Sequence, residues 1–222
     1  MKQTFLIYLL VYKIDRKPNR FFNRNRENSF YVIKKGYPTW SLGQLFGGIE
    51  MIFRLASMND LSSIKTMYEG IVENMNQNNI CIWNKYYPFE CFEGDIKSQR
   101  LYVLEENNDI VSACTLCDSN EAENEMEWEN KKAKALYIDR LGVNVNYQGK
   151  GYGSLLIKNA IEIARNNHFE YLRLIVVDIN RPAICLYEKN GFGRLNNIYE
   201  EMINENVTLK EYAYEIKIYE EG

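Results

Sequence analysis

The chain has one histidine, four prolines and no apolar run of the length that a membrane span needs. A spanning helix takes about 18 or more consecutive apolar residues. The apolar stretch at residues 5–12 is short, is followed by Lys13 and Asp15, and has no small-residue cleavage site after it, so it does not fit a signal peptide. The sequence therefore predicts a cytoplasmic protein without membrane contact.

The sequence also lacks a strong positive charge and a complete set of zinc ligands. A formal net charge of −3 argues against a nucleic-acid partner, because such proteins need basic surface to meet phosphates. Cys114 and Cys117 form one Cys-x-x-Cys pair, and the single histidine, His168, does not complete the four ligands of a structural zinc site. We expect no metal, mostly buried free thiols, a core-facing Cys185 that is not a nucleophile, and His168 in a helix-exit turn.

Two parts of the chain differ in composition. Residues 1–50 carry nine Lys or Arg against three Asp or Glu and have no sustained period, whereas residues 51–222 carry 18 against 27. We interpret residues 1–50 as a basic, poorly patterned extension and residues 51–222 as one domain. Residues 47–50 permit codons for a ribosome-binding site before Met51, so native synthesis is hypothesised to begin at Met51; the alternative is a native, poorly ordered extension.

From Met51 onward the hydrophobic pattern predicts a mixed α/β domain in the order β-α-α-β-β-β-α-β-α-β. A helix begins after Asn59 or Asp60, and a second, short helix ends before Arg100. The acidic residues 121–129 are expected to form an exposed loop or hairpin tip. The predicted strands are residues 52–55, 101–105, 110–117, 135–143, 171–177 and 211–219, and the remaining helices end near Asn166 and Asn190.

The most informative segment joins the strand at residues 135–143 to the helix that follows it. It reads Gln148-Gly149-Lys150-Gly151-Tyr152-Gly153, and its alternate glycines let the backbone approach a ligand closely. Unpaired amides at the start of the helix form a partly positive nest suited to a pyrophosphate, to which Lys150 can add a charge. A Walker loop needs a different glycine spacing, and a dinucleotide-binding loop needs a glycine where Ser154 stands.

This loop, together with a later segment, resembles the GNAT superfamily of N-acetyltransferases. The later segment reads Asn180-x-Pro182-Ala183-x-x-Leu186-Tyr187-Glu188-Lys189-x-Gly191-Phe192, and the resemblance covers about residues 52–219. It implies a GNAT-type fold, with a central mixed, mostly antiparallel sheet that is splayed between the fourth and fifth strands and flanked by helices. It also implies acetyl-CoA as co-substrate, bound where those two strands separate.

The resemblance assigns roles to residues by their place in the motifs. The pyrophosphate would lie on the amides of Gln148, Gly149, Lys150, Gly151, Tyr152 and Gly153. Backbone groups near Leu141 and Val143 would bind the pantetheine arm and polarise the acetyl carbonyl. Asn180 matches a cofactor-contacting position, and capping of the helix before Pro182 would explain it as well. Tyr187 matches the position that protonates the departing CoA thiolate; outside this motif, a tyrosine here would be a core residue.

The general base has to be sought on the strand before the glycine loop. Tyr137 stands where some family members have a glutamate, so that role does not transfer directly. Counting back from Val143 by twos along one face gives Leu141 and then Asp139, the one carboxylate in the set. Since an unpaired charge inside a strand is costly, Asp139 is either the base or the partner of a salt bridge with Arg140 or a nearby lysine.

The sequence predicts an acetyl-CoA-dependent enzyme that acetylates a primary amine of a small molecule or peptide by direct attack in a ternary complex. The alternative is a catalytically silent acyl-CoA-binding sensor or partner domain on the same fold. Aromatic residues in an acidic domain would suit a cationic acceptor, such as a polyamine, an aminoglycoside or a lysine-like amine, and would equally suit a core: Trp83, Tyr86, Tyr87 and Phe89. A monomer or a homodimer is expected.

Overall fold

A computed structural model of the chain describes residues 51–204 and 207–218. The extension at residues 1–50, and with it the hypothesis on Met51 as the native start, lies outside the described residues. The described elements, in chain order, are β1 (Met51–Leu55), α1 (Leu61–Gln77), α2 (Phe89–Lys97), β2 (Leu101–Glu106), β3 (Asp109–Cys117), β4 (Ala135–Val143), α3 (Tyr152–Asn166), β5 (Tyr171–Val177), α4 (Arg181–Lys189), β6 (Gly193–Asn204) and β7 (Val207–Lys217).

The strands form one seven-stranded sheet in the order β1-β2-β3-β4-β5-β7-β6. Neighbouring strands are antiparallel except β4 and β5, which are parallel and are joined by α3. A parallel pair needs a long crossover connection, and a helix is the usual one. The predicted class, a mixed α/β fold with a mostly antiparallel sheet, is confirmed.

Helices cover both faces of the sheet. On one face, α3 and α4 pack against the sheet through buried apolar residues that include Leu156, Ile157, Ala160, Ile184, Leu136, Ile138 and Leu174. We call this the α3 face. On the other, the α1 face, α1 and α2 pack through residues that include Ile64, Tyr68, Phe92, Ile96, Leu101, Val103 and Ala113. In the described part of the chain, no helix combines the length and apolarity that a membrane span requires.

The edge strand β6 is not predicted by the hydrophobic pattern. Its inward side is only half-buried and carries Asn197 between Leu195 and Tyr199. The pairing of β6 with β7 also shifts register between Arg194 and Ile198. A polar residue on the inner side and an irregular register together remove the alternation by which a strand is predicted.

The acidic segment at residues 121–129 is a short 3-10 helix followed by a loop, but it is not exposed throughout, so the expectation of an exposed loop or hairpin tip is only partly correct. Met126 is fully buried, and Trp128 is 4% exposed. Both pack on the α1 face with Tyr137 and Tyr171. Burying these two large apolar side chains draws the segment onto the sheet, while Glu125, Glu127 and Glu129 remain exposed. We call residues 118–134 the β3–β4 connection.

Candidate active site

The strands β4 and β5 separate part-way along the sheet. They pair over three residues, Ala135 with Tyr171, Leu136 with Leu172 and Tyr137 with Arg173. Beyond this point β4 runs on to Val143 and β5 to Val177, and β5 stays paired with β7 along its whole length. A gap therefore opens between the carboxyl halves of β4 and β5, and the backbone groups along it are available to a ligand. The predicted position of the splay is confirmed.

The glycine loop lies at the mouth of this gap and leads into α3. Gly149 and Gly151 have φ of 76° and 91°, in the region that side chains rarely adopt, and Gly151 is the residue that caps α3. No atom lies within 4 Å of the place where a Cβ would stand on either glycine. Gln148 and Lys150 are exposed, and the Lys150 ammonium lies 4.7 Å from the centre of the Tyr147 ring.

Two tyrosines hold the glycine loop against the turn between β2 and β3. The Tyr147 hydroxyl donates to Asp109 Oδ2 at 3.0 Å, and the Tyr152 hydroxyl donates to the Glu106 carboxylate. At Gly153, a Cβ would lie 3.0 Å from the Leu186 side chain, so glycine lets α3 approach α4. These contacts fix a loop that has few side chains of its own.

A bulge interrupts β4 within the gap. Between the pairs Ala113–Gly142 and Thr115–Asp139, β4 has two residues, Arg140 and Leu141, where β3 has one. Arg140 has a φ of 51°, in the left-handed region that is uncommon for a residue other than glycine. The extra residue changes which side chains share a face.

Because of the bulge, counting by twos from Val143 to Asp139 gives the wrong face. Leu141 packs in the cluster of the α3 face. Asp139 is opposite Thr115, whose hydroxyl donates to Asp95 of α2 at 3.0 Å, and Asp139 therefore lies on the α1 face. The predicted grouping of Leu141 and Asp139 on one face is corrected: they lie on opposite faces of the sheet.

The Asp139 carboxylate lies between the side-chain amide of Asn120 and the guanidinium of Arg140. Its Oδ1 accepts from Asn120 Nδ2 at 3.2 Å, and its Oδ2 lies 3.8 Å from Arg140 Nη1. The salt bridge considered for Asp139 is therefore present, at a distance longer than a hydrogen bond. The side chain is 25% exposed, so Asp139 remains accessible to an incoming group.

Arg140 is anchored by Asp95, a residue that the sequence analysis does not single out. Asp95 is fully buried and lies 3.1 Å from Arg140 Nε, 2.9 Å from Arg140 Nη2 and 2.6 Å from Arg100 Nε. One signal in the sequence could have identified Asp95 as a buried carboxylate. It stands three residues after Phe92 and four after Cys91, on the apolar face of α2. A carboxylate at such a position needs buried partners.

Two tyrosines from the α1 side complete the surroundings of Arg140. The Tyr68 hydroxyl donates to the Arg140 carbonyl and, at 3.3 Å, to that of Ala113, so it holds the bulge from both strands. Burial raises the pKa of Tyr87 to about 12; the positive charge of Arg140 opposes the rise, and the Asp139 charge adds to it. Of the other predicted acceptor-site aromatics, Trp83 and Phe89 pack against the core.

Tyr187 lies on the α3 face. Its side chain is buried between Phe192 and Tyr214, with ring centres 6.0 and 6.5 Å away. Burial raises the pKa of Tyr187 above that of a free tyrosine, and the Cys114 thiol and the Asp139 carboxylate add to the rise. Within the described residues its hydroxyl has no hydrogen-bond partner. The phenol is therefore protonated at neutral pH, and its proton is not engaged elsewhere.

Comparison with known proteins decides the family. The sequence model of the Acetyltransferase (GNAT) family matches residues 67–192. The chain belongs to this family. A Bacillus subtilis (strain 168) protein named "Putative phosphinothricin acetyltransferase YwnH" is 32% identical over 145 residues, which are 64% of this chain and 84% of that protein.

Further relatives agree with this assignment. The thialysine N-epsilon-acetyltransferase of Bos taurus is 37% identical over 60 residues, which cover 27% of this chain and 35% of that enzyme. A GNAT family acetyltransferase structure from Streptococcus agalactiae 2603 superposes with a TM-score of 0.62 at 19% identity, over 78% of this chain and 97% of that one. This GNAT protein is an acyltransferase of a family that uses acetyl-CoA as co-substrate.

Other predicted residues of this GNAT protein have the following surroundings. Asn180 caps α4, and its side chain accepts from the Ala183 amide at 3.4 Å, so the capping role is confirmed. His168 lies in the turn after α3 with a φ of 56°, as expected.

Cys185 is exposed, so its expected orientation toward the core is wrong. Ile184 and Tyr187, three residues apart, form the buried side of α4, and Cys185 lies about 100° around the helix from Ile184.

Proposed function

We propose that this GNAT acetyltransferase transfers the acetyl group of acetyl-CoA directly to a primary amine of a small molecule or peptide, in a ternary complex. The observation that carries the proposal is the gap between β4 and β5, which has Asp139 on the α1 face and Tyr187 on the α3 face. The relatives named above support an amine acceptor, since one is named as an N-epsilon-acetyltransferase. Five free thiols favour the reducing cytoplasm.

Acetyl-CoA fits the residues that line the gap. The amides of residues 148–153 would bind the pyrophosphate, because they open a helix and the loop leaves space beside Gly149 and Gly151. The exposed Lys150 would add a positive charge. Backbone groups of β4 near Leu141 and Val143 have no partner on β5 and would bind the pantetheine arm. Asn180, at the start of α4, would contact the same ligand.

In the proposed reaction, the amine nitrogen attacks the thioester carbonyl carbon, a C–N bond forms and the C–S bond breaks. Asp139 takes the proton that the amine loses, and Tyr187 gives its proton to the departing sulfur. Backbone donors of β4 polarise the carbonyl oxygen, and they need no reorganisation because the strand holds them in place. A protonated phenol on one face and an accessible carboxylate on the other support this division of roles.

The test is thiol release from acetyl-CoA in the presence of a panel of amines, with the full chain. Asp139→Asn keeps the size of the side chain and removes the basic oxygen, so we expect kcat to fall about 100-fold. Asp118→Asn is the matched control, because it removes an exposed carboxylate at the first residue of the β3–β4 connection. We expect this variant to keep its kcat. Equal rates in the two variants would remove Asp139 from the mechanism.

The same assay separates the enzyme from a silent acyl-CoA sensor. A sensor would show a higher melting temperature with acetyl-CoA and no thiol release with any amine. Absence of acetyl-CoA binding would contradict both functions.

A further inference from the structure

We propose that the acceptor is a free α-amino acid, with its carboxylate on Arg140 and its α-ammonium on Asp139, and that acetylation occurs on the α-nitrogen. This inference rests on the proposed N-acetyltransferase function and specifies its substrate class. It depends on the placement of two opposite charges by the bulge in β4.

The bulge places Asp139 and Arg140 on the same face of the sheet. In a regular strand, neighbouring residues point to opposite faces. Here Arg140 adopts a left-handed φ of 51°, and its guanidinium contacts Asp95 of α2 on the same face as Asp139. A conformation of this kind persists only where the surroundings enforce it, and such positions cluster at functional sites. The last residue pair between β4 and β5 is Tyr137 with Arg173. Both charges therefore lie side by side on β4 just beyond this pair.

Among the described residues, Arg140 has no carboxylate to itself at hydrogen-bond distance. Its buried partner, Asp95, is shared with Arg100, and the Asp139 oxygen lies 3.8 Å from Nη1, beyond hydrogen-bond distance. The phenol of Tyr87 lies close enough for the Arg140 charge to lower its pKa, but it is uncharged and cannot balance that charge. Arg140 is 9% exposed, so its guanidinium is largely removed from water. A guanidinium in this state favours a carboxylate, which it binds through paired N–H groups.

Asp139 is poised for the opposite charge. Asn120 donates to Oδ1, and Oδ2 is the atom that lies toward Arg140. An ammonium could therefore bind Oδ2 while its carboxylate binds Nη1. An α-amino acid carries these two groups on one carbon, which matches two protein charges that are 3.8 Å apart. A polyamine has no anion for Arg140 and would place a second cation beside it, which is unfavourable.

The chemistry of the pair also selects the reacting nitrogen. The α-ammonium would lie against Asp139, the carboxylate to which the proposed mechanism gives the proton. Asp139 passes this first proton to solvent, which leaves the neutral amine in place. As the amine attacks the thioester and the C–S bond breaks, Asp139 takes the second proton from nitrogen and Tyr187 gives its proton to sulfur. A side-chain amine, as in lysine, would lie farther from Asp139 whenever the α-carboxylate is held by Arg140.

The first experiment compares amines that differ only in the carboxylate. Thiol release by the full chain with acetyl-CoA is measured for lysine against cadaverine, phenylalanine against phenethylamine, and methionine against 3-(methylthio)propylamine. For the preferred side chain we expect kcat/KM to be higher with the amino acid by about tenfold or more, the value of one charged hydrogen-bonded contact. Mass spectrometry of the product should place the acetyl group on the α-nitrogen.

The second experiment changes Arg140 and uses Arg100 as the matched control, because both guanidiniums contact Asp95. Arg140→Gln should bring the ratio of kcat/KM for each pair close to one, whereas Arg100→Gln should leave the ratio unchanged. If Arg140→Gln fails to fold, Arg140→Met combined with Asp95→Asn removes both buried charges and should likewise bring the ratio close to one. A role of Arg140 in structure alone would lower both rates together and keep the ratio, and that result would overturn the inference.

The outcomes for the two proposals differ. Preference for cadaverine, spermidine or a peptide amino terminus over every free amino acid would overturn the α-amino acid assignment and leave the acetyltransferase function standing. Acetylation of lysine on its side chain would likewise overturn it. No thiol release with any amine would contradict the proposed function itself.

Discussion

Arg173 of β5 and Arg140 of β4 are both buried arginines on adjacent strands, and their surroundings differ. Arg173 lies at the last residue pair between the two strands and is fully buried. Its Nε lies 2.9 Å from Glu215 Oε2, its Nη2 donates to the Asn130 carbonyl at 2.6 Å, and its guanidinium is 4.6 Å from the centre of the Trp128 ring. Its partners surround it on several sides.

Arg140 follows three positions after the last pair, where the gap has opened. It shares Asp95 with Arg100 and lies 3.8 Å from the nearest oxygen of Asp139. The two arginines differ because β4 and β5 are paired beside Arg173 and separated beside Arg140. Where β4 and β5 pair, the charge of Arg173 joins the β3–β4 connection to the sheet. Where they part, Arg140 is the residue that we propose binds the acceptor carboxylate.

The largest expected effect is on stability, at Arg173. Arg173→Met leaves the Glu215 carboxylate buried without its cation, and we expect the free energy of unfolding to fall by about 3–5 kcal/mol. Urea unfolding of the wild type and the variant measures this loss of free energy. Lys97→Met is the control, because Lys97 and Glu93 form an exposed pair, and its loss should stay below about 0.5 kcal/mol.

A double variant sharpens this test. Arg173→Met with Glu215→Leu removes both buried charges and should recover part of the loss, although the Glu129 amide then loses its acceptor, Glu215 Oε1. If Arg173→Met alone costs no more than Lys97→Met, Arg173 is not the anchor of the β3–β4 connection.

The next effect is on turnover, at Tyr187. Since the Tyr187 hydroxyl has no partner within the described residues, Tyr187→Phe should leave the melting temperature nearly unchanged while kcat falls about 100-fold. Tyr214→Phe is the matched control, because its hydroxyl donates to Glu188 Oε1 at 2.9 Å. That variant should lose about 1 kcal/mol of stability and keep its turnover. The opposite pattern would exclude Tyr187 as the acid.

The smallest effect concerns an arginine outside the gap whose side chain is 21% exposed. Arg54 donates to both oxygens of Asp60 at 2.8 Å, and this contact, helped by Ser57, lowers the pKa of Asp60 to about 2. A carboxyl whose pKa is lower in the folded than in the unfolded state stabilises the fold above its unfolded pKa, near 4. Arg54→Gln should therefore cost about 1–2 kcal/mol at pH 7.

The pH dependence provides the control for Arg54. As pH falls from about 4 toward 2, Asp60 becomes protonated in the folded state, and the difference between wild type and Arg54→Gln should shrink. Urea unfolding at pH 7 and pH 3 measures it. A difference that is the same at both values would show that Arg54 acts through packing.

Local patterns predicted the elements whose signal is carried by a few neighbouring residues. The predicted strands at residues 135–143 and 171–177 have the bounds of β4 and β5, and the glycine loop opens α3 at Tyr152. Apolar runs bounded by turn residues are local features, so one sequence is enough to detect them. The family motifs then indicated where the two strands would part.

Features that depend on pairing between distant residues were not predictable in the same way. The bulge at Arg140 is defined by the register between β3 and β4, and no local pattern marks it. Its absence from the prediction placed Asp139 on the wrong face. The position of Asp95 on the apolar face of α2 is a local signal, but its partners Thr115 and Arg140 come together with it only in the folded chain. Tertiary contacts decide both features.

The short pairing of β4 and β5 gives the sheet two additional edges in its middle. Within the described residues, β1 and β6 are the outer edges of the sheet. Outer edges can attract strands of other chains, and proteins usually protect them with charge or irregularity. The inner edges beyond Tyr137 and Arg173 lie instead between helical layers on the two faces of the sheet. Depth within the fold protects them, so the backbone there can remain unpaired without inviting aggregation.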